Sequence, residues 1–362
     1  MRLICVLLLA AAMLQVSAAS NKVSCKDEAG HDVDWWYMYK LPKHYTNDPG
    51  QGHDVSGQRY FYVTSSAYDS WQLSGRRIAD DNSLPGETLR PLYADAQVLL
   101  AAYNDEFPNG TVSSTGGHTK GVIATDGTTG MWLVHSVPKY PTVPQYSYPT
   151  TGEHFGQSLL CVTLDAEGVE KAGELLVYNE PHFYYERNPL LRLGEQFPSL
   201  ERALKRQWRT EAPYQKEIEV RSLGGKQFRL FGKSSRANVE LYNDVVAPAL
   251  GVSLFVEAWR DGAGNLPDSC DTGNKVYNVE EIANQDYFIG FKTTGDHSKW
   301  AVSQESGILL HRWRVGGGDW ICVGDINRQQ SQHRRGGGTV CHKSARVSNL
   351  YRKLVANYEK CN

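Results

Sequence analysis

The chain has 362 residues, enough for one large core or two fused units. Its net charge of −2 at pH 7 excludes a strongly basic nucleic-acid binder at neutral pH. Eleven histidines qualify that exclusion, because protonating them in an acidic compartment would turn the chain cationic and attractive to a polyanion.

The chain opens with a secretory pattern over residues 1–18. Arg2 gives a positive start, Ile4 to Met13 is an apolar run, and Val16-Ser17-Ala18 fits a small-residue cleavage site. No later apolar run reaches the ~20 residues needed to span a bilayer, so no membrane insertion is expected. Cys5 leaves with the leader. Cys25, Cys161, Cys270, Cys322, Cys341 and Cys361 remain, an even set that predicts disulfides in a secreted chain and leaves their pairing open. There is no C-x-x-C and no H-E-x-x-H, so no metal site and no cofactor is expected. Asn109-Gly110-Thr111 is a glycosylation sequon, which predicts an exposed loop.

Runs rich in Val, Ile, Tyr, Phe and Trp predict strands at Asp34–Tyr39, Arg59–Val63, Val98–Tyr103, Gly121–Thr125, Met131–Val134 and Ser158–Leu164. A second series falls at Ile218–Leu223, Phe228–Gly232, Val252–Trp259, Tyr287–Lys292, Trp300–Ser303 and Trp320–Gly324. Helices are expected at Ala166–Val177, capped by Asp165, and at Pro198–Trp208 and Glu240–Leu250. A last helix is expected at Ser348–Tyr358, capped by Ser348. The mixture is α/β or α+β rather than a sandwich or a bundle.

A faint repeat runs through it. "HTKGVIATD" precedes "GMWLVHSVP" in the first half, and "HSKWAVS" precedes "DWICVGDIN" in the second. Each time a His-x-Lys opens a short apolar strand and a Trp-led strand follows. On a strand, residues two apart share a face, so His118 and Lys120 project together, as do His297 and Lys299. Lysine binds phosphate oxygens as a point charge, and histidine attacks phosphorus or moves a proton. Two such pairs suit a two-step displacement in which one histidine forms a phosphohistidine and the other serves the leaving oxygen and then water. Asp325 and Asn327, at the end of the second Trp-led strand, are candidates to orient His297 or the phosphate; a turn role fits them equally. Arg334, Arg335 and Gly336–Gly338 read either as a DNA-backbone contact or as a flexible loop. His135 reads as structural, and His154 and His333 as solvent-facing.

Six stretches carry a resemblance to the deoxyribonuclease II family, acid endonucleases of lysosomes, over essentially the whole mature chain. They are "DVDWWYMYKLP" (Asp32–Pro42), "GHTKGV" (Gly117–Val122), "WLVHSVPKYP" (Trp132–Pro141), "GQSLLCVTL" (Gly156–Leu164), "DHSKWAVS" (Asp296–Ser303) and "CVGDINRQQSQHRRGGGTVC" (Cys322–Cys341). That family is related to the phospholipase D enzymes, which use two His-x-Lys motifs in a pseudodimer. The resemblance implies two related units, residues 19–195 and 196–362, each a β-sheet flanked by helices, with His118, Lys120, His297 and Lys299 catalytic. It also implies disulfides Cys25–Cys161, Cys270–Cys361 and Cys322–Cys341. Phospholipase D enzymes place an aspartate five residues after the motif lysine; this chain has Thr125 and Gln304 there.

The activity so implied is metal-free hydrolysis of double-stranded DNA at acid pH, giving 3′-phosphate and 5′-hydroxyl ends. The setting is the lysosome or the secretory route, and the task is degrading DNA of dying and engulfed cells. By analogy with the wider superfamily, His118 is expected as nucleophile. The sequence does not choose between a monomer and a homodimer. Two rival readings are a lumenal phospholipase D-like phosphodiesterase or exonuclease, and a catalytically silent DNA-binding homologue.

Overall fold

A computed structural model describes residues 22–46, 54–271, 273–304, 308–310, 313–315 and 318–361; the leader pattern of residues 1–18 lies outside them. Two large sheets dominate. The first has eight antiparallel strands, in the order Phe183–Arg187, Leu99–Tyr103, Gly121–Thr125, Thr129–His135, Gln157–Asp165, Trp35–Lys40, Tyr60–Thr64 and Ala67–Leu73. The second runs Gln215–Arg221, Gln227–Lys233, Gly337–Lys343, Trp320–Gly324, Trp300–Ser303, Leu254–Glu257, Val276–Asn284 and Ile289–Lys292. Val355–Tyr358 joins it beside Val276–Asn284. The architecture is therefore mixed α/β.

The strand that follows each His-x-Lys has the same neighbours in both sheets. Gly121–Thr125 lies between Leu99–Tyr103 and Thr129–His135, with Gln157–Asp165 next. Trp300–Ser303 lies between Leu254–Glu257 and Trp320–Gly324, with Gly337–Lys343 next. The correspondence ends at the following strand, where Trp35–Lys40 opens its hairpin and Gln227–Lys233 closes its own.

Trp35–Lys40 shows how the layers form. Its side chains alternate, as a pleated strand requires. Trp35, Tyr37 and Tyr39 enter a core shared with Phe228, Leu230, Trp300, Val302 and Ile321 of the second sheet. Trp36 and Met38 face a separate core under the helix Leu84–Ala94. Burial on both faces explains why this strand reads as an unbroken aromatic run. The helix Ala166–Asn179 packs on strands of both sheets, and so does Ala345–Leu354. The two halves thus meet in one apolar core. No helix among the described residues is long and apolar enough to cross a membrane.

Three expectations are corrected. Ser344, not Ser348, caps the last helix, accepting from the Val347 N–H at 3.4 Å, and the helix ends at Leu354. Ser348 is buried inside it with its hydroxyl donated to the Ala345 carbonyl, and Val355–Tyr358 leaves as a strand. Glu240–Leu250 is a wide π turn, Tyr242–Val246, followed by the short helix Ala247–Leu250 that contains Pro248. Gly336–Gly338 is no flexible loop, because Gly337–Lys343 is a central strand.

Candidate active site

Each motif histidine is fixed by a backbone bond to the other half. The His118 N–H donates to the Gly336 carbonyl at 2.9 Å, and the His297 N–H donates to the Gly156 carbonyl at 2.9 Å. Gly336 and Gly156 stand at equivalent places, immediately before Gly337–Lys343 and Gln157–Asp165. Behind each is a buried lysine at equivalent register. Lys40, opposite Gln157, donates to the carbonyls of Glu153 and Phe155; Lys233, opposite Gly337, donates to those of Gln332, His333 and Arg335. Burial lowers Lys40 to about 7 and Lys233 to about 8. These lysines rigidify the two segments from which the opposite histidines hang. Sequence reading missed both.

The surroundings of the two histidines differ. His118 is mostly buried, with 16% of its side chain exposed. Its Nδ1 donates to the Asp325 backbone carbonyl at 2.7 Å, and its Nε2 is 3.7 Å from Asp105 Oδ2. A carbonyl only accepts, so neutral His118 carries its proton on Nδ1 and its lone pair on Nε2. Asp105 also takes the ammonium of Lys120, and Arg335 Nη2 is 3.6 Å from it. Arg335 further donates to the carbonyls of Gly116 (3.0 Å) and Gly117 (2.8 Å). Arg335 therefore braces the first motif. Burial alone would raise the Asp105 carboxyl, but Lys120, and after it His118 and Arg335, hold it well below the ordinary range.

His297 lies in an aromatic slot. Phe155 stacks on its ring at a centroid distance of 4.0 Å and 8° between planes, and Trp259 meets it edge-on at 4.7 Å. Its Nε2 has no hydrogen-bond partner among the described residues. The register explains the difference. Tyr103 lies opposite Gly121 and Glu257 opposite Trp300, each the residue after a motif lysine. Two positions on, Trp259 stands where the first half has Asp105. Likewise Phe155 and Arg335 each precede a bridging glycine.

Burial, then the nearby Lys120, lowers His118 to about 3; burial, then Lys299, lowers His297 to about 2. The charge of Lys299 also acts on His118, and those of Lys120 and His118 act on His297, so the motifs converge on one site. Lys299 donates to the His297 carbonyl at 2.6 Å, and burial lowers it to about 7. Asp325 is buried and raised to about 7 by that burial; its carboxyl accepts from the Gly338 N–H at 2.9 Å, while its carbonyl meets His118 rather than His297. Asn327 is buried, with no hydrogen-bond partner for its Oδ1 among the described residues. His135 is wholly buried, its Nδ1 accepting from the Val137 N–H at 3.2 Å. His154 is exposed and packs edge-on against Phe155, whereas His333 is only half exposed. Asn109 is exposed on its loop. The disulfides are Cys25–Cys161, Cys270–Cys361 and Cys322–Cys341.

Paired His/Lys sets fit phosphoryl chemistry, and similarity to known proteins agrees. A family model described as Deoxyribonuclease II matches residues 24–361. Plancitoxin-1 of Acanthaster planci is 36% identical, covering 94% of this chain and 93% of its own. Deoxyribonuclease-2-alpha of Mus musculus is 34% identical over 98% and 97%, and Deoxyribonuclease-2 of Caenorhabditis elegans 32% over 96% of each. The protein is a nuclease, a hydrolase of phosphodiester bonds. Within that class, the chain belongs to the deoxyribonuclease II family.

Proposed function

We propose that this nuclease is an acid endonuclease that hydrolyses double-stranded DNA without a divalent metal, leaving 3′-phosphate and 5′-hydroxyl ends. The observation that carries the reading is the reciprocal anchoring of His118 and His297, each by the other half, in one site with Lys120 and Lys299. One histidine attacks phosphorus and holds the 3′ side as a phosphohistidine. The other gives a proton to O5′, then takes one from the water that releases the product. Lys120 and Lys299 offset the charge that develops on the phosphoryl oxygens. The shared strand order around the two motifs supports a phospholipase D-like pseudodimer of residues 19–195 and 196–362. We place the enzyme in the lysosome or on the secretory route, degrading DNA of dying and engulfed cells. Disulfides and an exposed sequon support that route.

The test is supercoiled plasmid at pH 5 with EDTA. Nicking and linearisation by the wild type, lost by at least ~1,000-fold in His118→Ala and in His297→Ala, is the expected result. Retardation without cleavage would indicate a silent binder, and turnover of a phospholipid instead of plasmid a lipid enzyme.

A further inference from the structure

We propose that the two histidines have fixed and different roles: His297, in its aromatic slot, is the nucleophile, and His118, faced by the Asp105 carboxylate, carries the proton. The assignment rests on the two-histidine reading above and reverses the one expected by analogy with the wider superfamily.

The argument is the broken symmetry of the site. A single proton shared by two histidines settles where positive charge is better compensated. His118 has a carboxylate 3.7 Å from Nε2. Lys120, Lys299 and Arg335 oppose its protonation, but two of these also hold Asp105 in place. The Nδ1 bond to the Asp325 carbonyl survives in both charge states, because Nδ1 donates in both. His297 faces Lys299, Lys120, Lys40 and His118, all of one sign. Its neighbour Asp296 gives its carboxylate to the Tyr39 hydroxyl and the Ser298 N–H. Buried Glu257 has neither carboxyl oxygen hydrogen-bonded among the described residues, and burial pushes it well above the carboxylate range, which disfavours its charged form. Phe155 covers one ring face and Trp259 an edge, an apolar setting that disfavours imidazolium and restricts ring rotation. His297 therefore stays neutral with its ring held, the state a nucleophile needs. Where the second half has Trp259, the first has Asp105, a positioning residue that acts through His118.

The cycle balances. The His297 lone pair forms a bond to phosphorus, the P–O5′ bond breaks, and the His118 proton goes to O5′. Water then gives a proton to neutral His118, its oxygen bonds to phosphorus, and the P–N bond breaks, returning the electron pair to His297.

The test uses thymidine 3′-(4-nitrophenyl phosphate), whose nitrophenolate replaces O5′ and leaves without a proton. His118→Ala is expected to release about one nitrophenolate per enzyme in a burst, with the nucleotidyl group on His297 after alkaline quench and peptide mapping. His297→Ala is expected to give no burst. Wild-type enzyme quenched during turnover gives the same mapping should either variant fail to fold. A nucleotidyl group on His118 overturns the assignment and leaves the covalent reading standing. Its absence from both histidines in the wild type overturns both. Asp105→Asn is expected to slow DNA cleavage about 100-fold, slow the nitrophenolate burst far less, and move the alkaline limb of the DNA profile to lower pH. Equal losses on both substrates would remove Asp105 from the proton step.

Discussion

The backbone N–H of His297 donates to the Gly156 carbonyl at 2.9 Å, so the second motif hangs from the first half of the chain. Gly156 has no room for a side chain. A Cβ there would collide with Asp296 Oδ1 and lie 2.9 Å from its Cγ. Asp296 is fully buried and tied to the Tyr39 hydroxyl and to the Ser298 N–H at 2.9 Å, so it does not yield cheaply. We expect Gly156→Ala to shift His297 and cut plasmid cleavage by on the order of 100-fold, with secretion retained. Near-normal kcat would mean that this bridge does not position the histidine.

Much of this was legible in the sequence, for identifiable reasons. Trp300–Ser303 and Trp320–Gly324 are short apolar runs bounded by polar residues and glycine, and both are strands. Asp165 announced its helix, accepting from the Gly168 N–H at 2.8 Å. The helix Leu84–Ala94 has no clear sequence signal, because Pro85, Gly86 and Pro91 are poor helix formers in general; Pro85 sits in the first turn, where no N–H is needed, and Ser83 caps the start. Gly337–Lys343 was missed because its glycines read as a loop. They are needed for close approach, since a Cβ on Gly338 would strike the Phe231 carbonyl. Asp105, Phe155 and Trp259 lie outside the His-x-Lys signature, and only strand register brings them to the site. Their signal was the position two residues past the neighbouring strand and one before each bridging glycine.

The disulfides close loops of very different length, with sequence separations of 136 for Cys25–Cys161, 91 for Cys270–Cys361 and 19 for Cys322–Cys341. The last joins residues already directly opposite on neighbouring strands. In the chain-entropy account their losses should rank in that order, about 5, about 4.6 and about 3 kcal/mol. Denaturant melts of the three paired Cys→Ala variants check the ranking. A largest loss at Cys322–Cys341 would contradict it.

His342 is a buried liability in acid. It is 2% exposed, stacked on Phe228 at 4.4 Å, with Nδ1 3.2 Å from the Tyr37 hydroxyl. Burial lowers it to about 3, so between ~6.5 and ~3 the unfolded chain binds a proton that the folded one does not. Stability is therefore lost as pH falls through that window, by about 2 kcal/mol between pH 7 and pH 5. His342→Phe should remove this part of the slope. It leaves the Tyr37 hydroxyl without its partner, a pH-independent loss of about 1–3 kcal/mol. Urea melts at pH 7 and pH 5 separate the two effects. A slope unchanged by the substitution would show that His342 titrates normally.

The acid preference proposed for cleavage has two candidate causes, and they differ in what they forecast. If protonated surface histidines recruit DNA, the preference should weaken in salt and largely vanish on a dinucleotide. If the site itself sets it, the preference should persist on both substrates. The structure favours the site. His118 and His297 are lowered to about 3 and about 2 by burial and then by the motif lysines, so the histidine that gives its proton to O5′ is charged only in acid. A bound phosphodiester anion would raise both, which would bring activity into the acidic range rather than below it. The sign is testable at Lys120. Its ammonium opposes protonation of His118 and neutralises Asp105. Lys120→Gln should therefore slow cleavage about 10- to 100-fold through lost phosphate binding, yet move the alkaline limb of kcat to higher pH. The measurement is kcat against pH on a dinucleotide with EDTA, for wild type and variant. A neutral optimum in the wild type, or an alkaline limb that moves down in the variant, would rule out control by the motif lysines.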